Sequence, residues 1–382
     1  MATRTVGIIL NGATSRIGST QHLKNALAPI RAEGGLAVGA DRVMPRVLLA
    51  GRDADRLAAL AREHGVESTT DLDAALGDPA YEVLFDAAVT HQREVTLEKA
   101  IAAGKHVYSE KPVAVSVAAG LALLAAMEAR GLKHAAVEDK QYLPGLRKLA
   151  RLAAAGFFGR VVGFRLEFGW WVFDGVEERC QRPSWNYRKT GGGGLILDMY
   201  PHFRYMIENI LGPIERVACA ATTAAPERID ERGERYAVDV EDHTATLVTL
   251  RSGAVGSILA SWATRVRRDD LMTFQIDGAH GTAVAGLHRC YAQSIGDTPK
   301  VAAFNPMTDL GIDYASRWQE VPAAGPYPNP YRVGWEDFLR HLVTGAPLGS
   351  DFAAGIRDVA FAEACYRSLD SGTSVRLDDV LS

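Results

Sequence analysis

The feature that most limits what this chain can become is a strand–turn–helix succession that repeats from its start as far as residue 137. Residues 6–10 form a short apolar run of strand type. The glycine-bearing turn Asn11-Gly12-Ala13-Thr14-Ser15-Arg16-Ile17-Gly18 follows, and a helix is expected over 20–30. Residues 47–50 read as the second strand, and 53–64 as a helix opened by an acidic cap. Strands are expected again at 83–85, 106–109 and 135–137, with a helix over 94–103 that Gly104 ends. Such alternation gives an α/β fold, a parallel sheet with helices on both faces. Residues 33–45, with Gly34, Gly35 and Gly39, are long for a crossover and read as a surface insertion loop.

The pattern changes after Tyr142. Residues 161–168, 244–250, 254–262 and 271–277 are strand runs rich in β-branched and aromatic residues, and Ser252-Gly253 reads as a hairpin turn. These strands predict a large, mainly antiparallel open sheet in a second α/β domain. Prolines 322, 326, 328 and 330 mark an extended connector, after which helices are expected over 331–343 and 352–368. A chain of 382 residues exceeds one ordinary core. The expected division is a dinucleotide-binding domain at 1–141 and a substrate-binding and oligomerisation domain at 142–382.

A net charge of -4 offers no basic face for nucleic acid and no polybasic membrane anchor. The apolar stretch 113–127 falls short of the about 20 residues that span a bilayer, and reads as a helix beginning just after Pro112. The first residues lack the apolar region and cleavage site of a secretory signal, so a cytoplasmic location is expected. Cys180, Cys219, Cys290 and Cys365 are scattered without a CxxC pair, and are expected to be reduced, mostly buried thiols.

Strand, glycine turn and helix N-terminus together suit a pyrophosphate, because glycines admit the ligand to backbone N–H groups and the helix end is partly positive. Gly12, Thr14, Ser15, Arg16, Ile17 and Gly18 are therefore candidate cofactor contacts, although Ser15 stands where a middle glycine is expected. An acidic residue at the end of the second strand would bind a ribose 2′-hydroxyl. Here that position is Gly51, followed by Arg52, which suits a 2′-phosphate and predicts NADP over NAD. Asp53 could serve the ribose or cap the next helix. Thr90 and His91, with Arg93, lie just past a strand end where ligands bind such sheets.

Asp198 and His202 are four residues apart, on one side of a helix, as a carboxylate–imidazole proton-transfer pair would be. An exposed i, i+4 pair is the plain alternative. Metal ligation lacks a third residue at recognisable spacing, and no metal is expected. Lys111, in Glu110-Lys111-Pro112, would bring a cation to the chemistry; otherwise it is a solvated loop lysine. Lys140, Tyr142 and Trp185 are candidate substrate contacts.

Several of these motifs together resemble the glucose–fructose oxidoreductase/inositol dehydrogenase (Gfo/Idh/MocA) family. They are the glycine turn, Ala103-Gly104-Lys105-His106-Val107 leading to Glu110-Lys111-Pro112, and Gly192-Gly193-Gly194 leading to Asp198 and His202. The resemblance implies a Rossmann domain followed by an open-sheet domain that often supports oligomers. It implies oxidation of a sugar or cyclitol hydroxyl, or the reverse reduction, with NAD(P). Lys111 would contact the reacting oxygen, His202 would be the general acid/base assisted by Asp198, and Glu110 and Pro112 would shape the cofactor pocket. The chain departs from the family pattern at Tyr200, where glycine is usual, at Tyr205, often acidic, and at Asn186, often arginine. Tyr200 could narrow a pocket, stack on a sugar face or donate a hydrogen bond, and the resemblance adds Arg188, with Tyr200, to the candidate substrate contacts. Two other functions fit the same motifs: a non-catalytic dinucleotide-binding sensor, and a cofactor-retaining redox glycosidase.

Overall fold

A computed structural model describes residues 2–171, 175–179, 182–301 and 307–382. They form two compact units. The first comprises Met1–Tyr142, Pro328–Glu363 and Val380–Ser382; the second comprises Leu143–Tyr327 and Ala364–Asp379. The chain thus crosses between the units more than once, because Pro328–Glu363, with the first helix after the proline-rich connector and part of the next, groups with the first unit.

In the first unit the strands are β1 (Thr3–Asn11), β2 (Leu36–Val38), β3 (Asp41–Ala50), β4 (Glu67–Thr69), β5 (Val83–Asp86), β6 (His106–Ser109) and β7 (His134–Ala136). Among the described residues they make one sheet in the order β2-β3-β1-β5-β6-β7, with β4 also on β3. Every pairing is parallel except β2 with β3. Covered on both faces, β5 and residues 6–11 of β1 are wholly buried, as a parallel sheet requires. The first helix begins at once after the turn, as a wide π-type helix Ile17–Leu27 that continues as Ala28–Ala32. Its Leu23, Ala26 and Leu27 share one core with Trp335, Phe338 and Leu339 of the helix Pro330–Thr344. Each such large apolar side chain contributes roughly 1.5–3 kcal/mol.

Several sequence expectations change here. Residues 33–45 are not a loop: β2 and the start of β3 form an antiparallel hairpin, turned at Gly39 with φ +62°. Pro45 lies in β3 between the stretches paired with β2 and with β4, where the strand is a local edge and a missing N–H costs no ladder bond. The helix expected just after Pro112 starts instead at Val117, where the Ser116 side chain accepts the Ala119 N–H as a cap. Thr90 and Arg93 lie in the first turn of the helix Thr90–Ala102 rather than in a loop. Asp53 caps Ala54–His64 through the Arg56 N–H, and Gly65 closes that helix.

The second unit is built on a mixed sheet. Its strands include β8 (Val161–Gly169), β9 (Ile214–Thr222), then, beyond the short hairpin β10 (Glu227–Ile229) and β11 (Arg235–Ala237), β12 (His243–Leu250), β13 (Val255–Ser261) and β14 (Met272–Gly278). β15 (Gly281–Ala285), β16 (Cys290–Ser294), β17 (Gln319–Glu320) and β18 (Val375–Arg376) complete it, in the order β17-β16-β15-β14-β8-β13-β12-β9-β18. Pairing is antiparallel throughout except between β8 and β13. The strands alternate: Thr244, Thr246, Val248 and Leu250 of β12 face inward, while Ala245 and Leu247 face outward. The helix Leu195–Leu211 buries Ile196, Met199, Tyr200, Phe203, Met206 and Ile207. Cys290 and Cys365 are buried free thiols and Cys219 is half-buried; Cys180 lies outside the described residues. Among the described residues no helix is long and apolar enough to cross a membrane.

Candidate functional site

In the first unit the parallel register places Ala50, Asn11, Asp86 and Ser109 in one row across the sheet. The residues that follow each of them therefore emerge together at the carboxyl edge, where open α/β sheets bind ligands. They are Gly51-Arg52, Gly12, Ala87 and Glu110-Lys111. Gly12 has φ +74°, and a Cβ there would lie 2.7 Å from the Ala87 carbonyl carbon. A Cβ on Gly18 would lie 2.5 Å from the Gly12 oxygen, so both glycines are fixed by close packing of the turn. Ser15 behaves as a cap: its Oγ accepts the Gly18 N–H at 3.0 Å. The Arg56 guanidinium donates to the Thr14 carbonyl at 2.8 Å, while Arg16 and Arg52 are exposed. Half-buried hydroxyls at Thr14 and Ser15, two exposed guanidiniums, and glycine rather than a carboxylate at residue 51 form a donor set that fits a phosphate-bearing dinucleotide.

A buried ion pair holds three of these strand ends. Arg93 Nε donates to Asp86 Oδ2 at 3.0 Å, and its other nitrogens donate to the Ala88 and Pro112 carbonyls at 2.6 and 2.5 Å. Asn11 Nδ2 donates to Asp86 Oδ1 at 2.7 Å. The Lys111–Pro112 peptide is cis, and the Lys111 N–H donates to Glu110 Oε2 at 3.2 Å. Glu110 Oε1 lies 2.8 Å from His22 Nε2. Lys111 and Thr90 are half-buried. The His91 side chain lies outside the described residues. Lys140 pairs with Asp139 and lies over the Tyr331 ring. The Tyr142 hydroxyl donates to Asp337 at 2.9 Å, and burial pushes its phenol up.

In the second unit, Gly193 and Gly194 let the start of the helix Leu195–Leu211 approach its neighbours. A Cβ on Gly193 would lie 2.3 Å from the Asn186 oxygen, and Gly194 has φ +123°. The Glu241 carboxylate caps the helix by accepting the Ile196 N–H at 2.8 Å, and also accepts the Tyr366 hydroxyl at 3.0 Å; its pKa is raised, chiefly by burial. Asp198 and His202 are both on this helix. Arg182 donates to Asp198 Oδ2 at 2.7 Å, and Nδ1 of the nearly buried His202 ring lies 2.7 Å from the Tyr205 hydroxyl. One neighbour of the ring is thus the residue three positions on, at the site often acidic in the family.

Tyr200 is a correction. Its ring is fully buried and its hydroxyl lies 2.6 Å from Thr246 Oγ1 on β12, so it packs into the second unit's core instead of presenting a sugar-binding face. Two residues from Asp198 and from His202, it projects from the opposite side of the helix. Trp185 is 46% exposed, and the Arg188 guanidinium stacks on Tyr236 at 4.2 Å. Sequence reading singled out neither His22, Trp335, Arg182 nor Glu241. They act through distant partners, and no local spacing marks them.

Comparison with known proteins agrees with this architecture. Residues 14–138 match the family described as "Oxidoreductase family, NAD-binding Rossmann fold", and 146–284 match the "GFO/IDH/MocA C-terminal domain". The chain is 40% identical to a D-xylose dehydrogenase of Paenarthrobacter nicotinovorans, over 99% of each chain. It is 25% identical to a levoglucosan dehydrogenase of Pseudarthrobacter phenanthrenivorans, over 85% of this chain and 87% of that one. Among solved structures, a levoglucosan dehydrogenase complex with NADH and L-sorbose superposes with a TM-score of 0.80 at 24% identity, covering 99% of this chain and 100% of the other. An NAD-binding oxidoreductase from Klebsiella pneumoniae gives 0.78 at 22%, covering 98% and 99%. At such identities these two superpositions speak for the fold.

Proposed function

The chain belongs to the GFO/IDH/MocA family of nicotinamide-dependent oxidoreductases, and on that premise we propose that it oxidises a hydroxyl of a small sugar, preferentially with NADP. The aligned row of strand ends, with Lys111 following Glu110, carries the reading. Gly12, Thr14, Ser15, Arg16, Ile17 and Gly18 hold the pyrophosphate, with Thr90, His91, Glu110 and Pro112 flanking the cofactor. Gly51 and Arg52 favour a 2′-phosphate, since a carboxylate is missing where a ribose 2′-hydroxyl would need one. Asp53 is engaged as a helix cap, which supports this preference. The bound nicotinamide supplies the hydride acceptor.

Lys111 donates a hydrogen bond to the sugar oxygen and stabilises its developing negative charge. His202 removes the hydroxyl proton. With Nδ1–H donated to the Tyr205 hydroxyl, Nε2 carries the lone pair that receives it. Asp198, paired with Arg182, sets the field beside the ring. Lys140, Tyr142, Trp185 and Arg188 position the sugar. The similarity to a D-xylose dehydrogenase makes an aldopentose the first substrate to test. Exposed apolar side chains on the outer face of the second sheet, Val162, Leu247, Val255 and Leu259, support a homo-oligomer.

Turnover with D-xylose and a panel of sugars is read from nicotinamide absorbance with each cofactor. Lys111→Ala and His202→Ala are expected to lower kcat by about a hundred- to ten-thousandfold. Either variant with full turnover overturns its assigned role. Arg52→Ala is expected to erase at least a tenfold preference for NADP, and equal use of both cofactors by the parent protein refutes that preference.

A further inference from the structure

We infer that His22 is a positioning residue, locked by Trp335 as the neutral Nε2–H tautomer, and that it sets the placement of Lys111 through Glu110. The inference rests on the proposed role of Lys111, but its first test does not.

The tautomer follows from donor chemistry. The indole Nε1–H of Trp335 points at His22 Nδ1 over 3.0 Å. An indole nitrogen only donates, so Nδ1 must offer a lone pair. That excludes both the imidazolium and the Nδ1–H tautomer, each of which would set two hydrogens against one another. The ring hydrogen is then on Nε2, which donates to Glu110 Oε1 at 2.8 Å. Water does not compete: His22 and Trp335 are fully buried, and Glu110 is 8% exposed. Phe85 and Tyr331 enclose the imidazole, with ring centroids 4.1 and 5.0 Å away.

Both oxygens of Glu110 therefore accept hydrogen bonds, one from His22 and one from the Lys111 N–H. The Glu110 N–H is itself tied to the Asp86 carbonyl, and Arg93 holds the Pro112 carbonyl. The backbone that carries Lys111 is gripped on both sides. His22 supplies a grip that comes from the helix of the glycine turn, and Trp335 reaches it from 313 residues further along the chain. With the backbone fixed in this way, the segment that carries Lys111 need not reorganise when negative charge develops on a substrate oxygen, the condition under which such donors are most effective.

The first test uses the unaltered protein. Protein with ¹⁵N-labelled histidine is measured near neutral pH, and the His22 signals are identified by their proximity to the Trp335 indole hydrogen. A bare Nδ1 and a protonated Nε2 are expected; hydrogen on Nδ1, alone or with Nε2, overturns the lock. The second test is kinetic. Trp335→Phe and His22→Leu are expected to lower kcat by about ten- to a hundredfold, with sugar KM and dinucleotide Kd changed by less than about threefold. His22→Gln, whose amide can still donate to Glu110, is expected to recover most of the loss. Unchanged kcat in both disruptive variants, with only a lower melting temperature, makes the residue merely structural and overturns the positioning role. Lys111→Ala measured alongside separates the two readings: full turnover there refutes the role of Lys111 and leaves the tautomer standing.

Discussion

Each unit contains a buried arginine–aspartate pair, Arg93–Asp86 at 3.0 Å in the first and Arg228–Asp242 at 2.6 Å in the second, but their surroundings differ. Arg93 spends its remaining donors on the Ala88 and Pro112 carbonyls, both in the loops that carry candidate cofactor residues. In the second unit Asp242 accepts the Ala224 and Ala225 N–H groups, and Arg228 lies 4.2 Å over the ring of Tyr187, beside Trp185 and Arg188. The same chemical unit thus braces the strand ends that carry the candidate cofactor residues in one case and the turn that carries candidate substrate residues in the other. Burying two charges is costly and is offset in part by further partners, so what a buried pair organises is read from those partners.

The comparison breaks most sharply at the arginines. Arg93→Met and Arg228→Met each leave a buried carboxylate without its guanidinium, at a cost of about 3–5 kcal/mol in chemical denaturation. Arg93→Met is expected to weaken dinucleotide binding in a fluorescence titration. Arg228→Met is expected to spare that binding and raise the sugar KM. The reverse assignment refutes the contrast.

Single methyl groups give a smaller version of the test. Gly12→Ala and Gly193→Ala each force a Cβ into backbone, 2.7 and 2.3 Å from the nearest atoms, and each should cost about 1–3 kcal/mol. The first should impair cofactor affinity. The second should instead shift the start of the Asp198–His202 helix and lower kcat. Asp53→Ala removes one helix cap and should cost about 1 kcal/mol with no change in the NADP to NAD ratio. A changed ratio would return Asp53 to the ribose.

The smallest effect is a difference in slope with pH. In the first unit burial lowers the pKa values of His106 and His134, whose Nδ1 atoms accept the Lys133 and Phe352 N–H groups. With folded pKa values below the ordinary one, their neutral forms contribute stability that is present above about pH 6.5 and is lost as pH falls through the folded values. Glu241 in the second unit has the opposite sign: its raised pKa favours the folded state below its ordinary value of 4.5, and that contribution is lost as pH rises. Hydrogen exchange followed below neutrality should therefore show the first unit loosening while the second holds. Equal slopes would show that these groups do not govern the difference.

Sequence reading located the candidate cofactor and catalytic residues, because each sits in a local pattern. Parallel strands end in turns, so Gly12, Gly51 and Glu110-Lys111 could be placed by period and punctuation alone. Asp198 and His202 follow from helical spacing. The residues that orient them escaped. Tyr200 looked like a pocket residue because it lies between the candidate residues Asp198 and His202, yet helical geometry sends it to the core. The insertion at 33–45 looked like a loop because it is long for a crossover and carries three glycines, which in fact supply the positive φ of turns.

Periodicity, caps and turn residues depend on neighbours in sequence, so the chain by itself determined the alternating sheet, the glycine turn and the acid–base spacing on one helix. Hydrogen-bond partnership depends on which groups become neighbours once the sheets close. Only the tertiary structure decided that Trp335 returns to His22, that Tyr205 meets His202, and that Arg93 ties together strand ends separated by many residues.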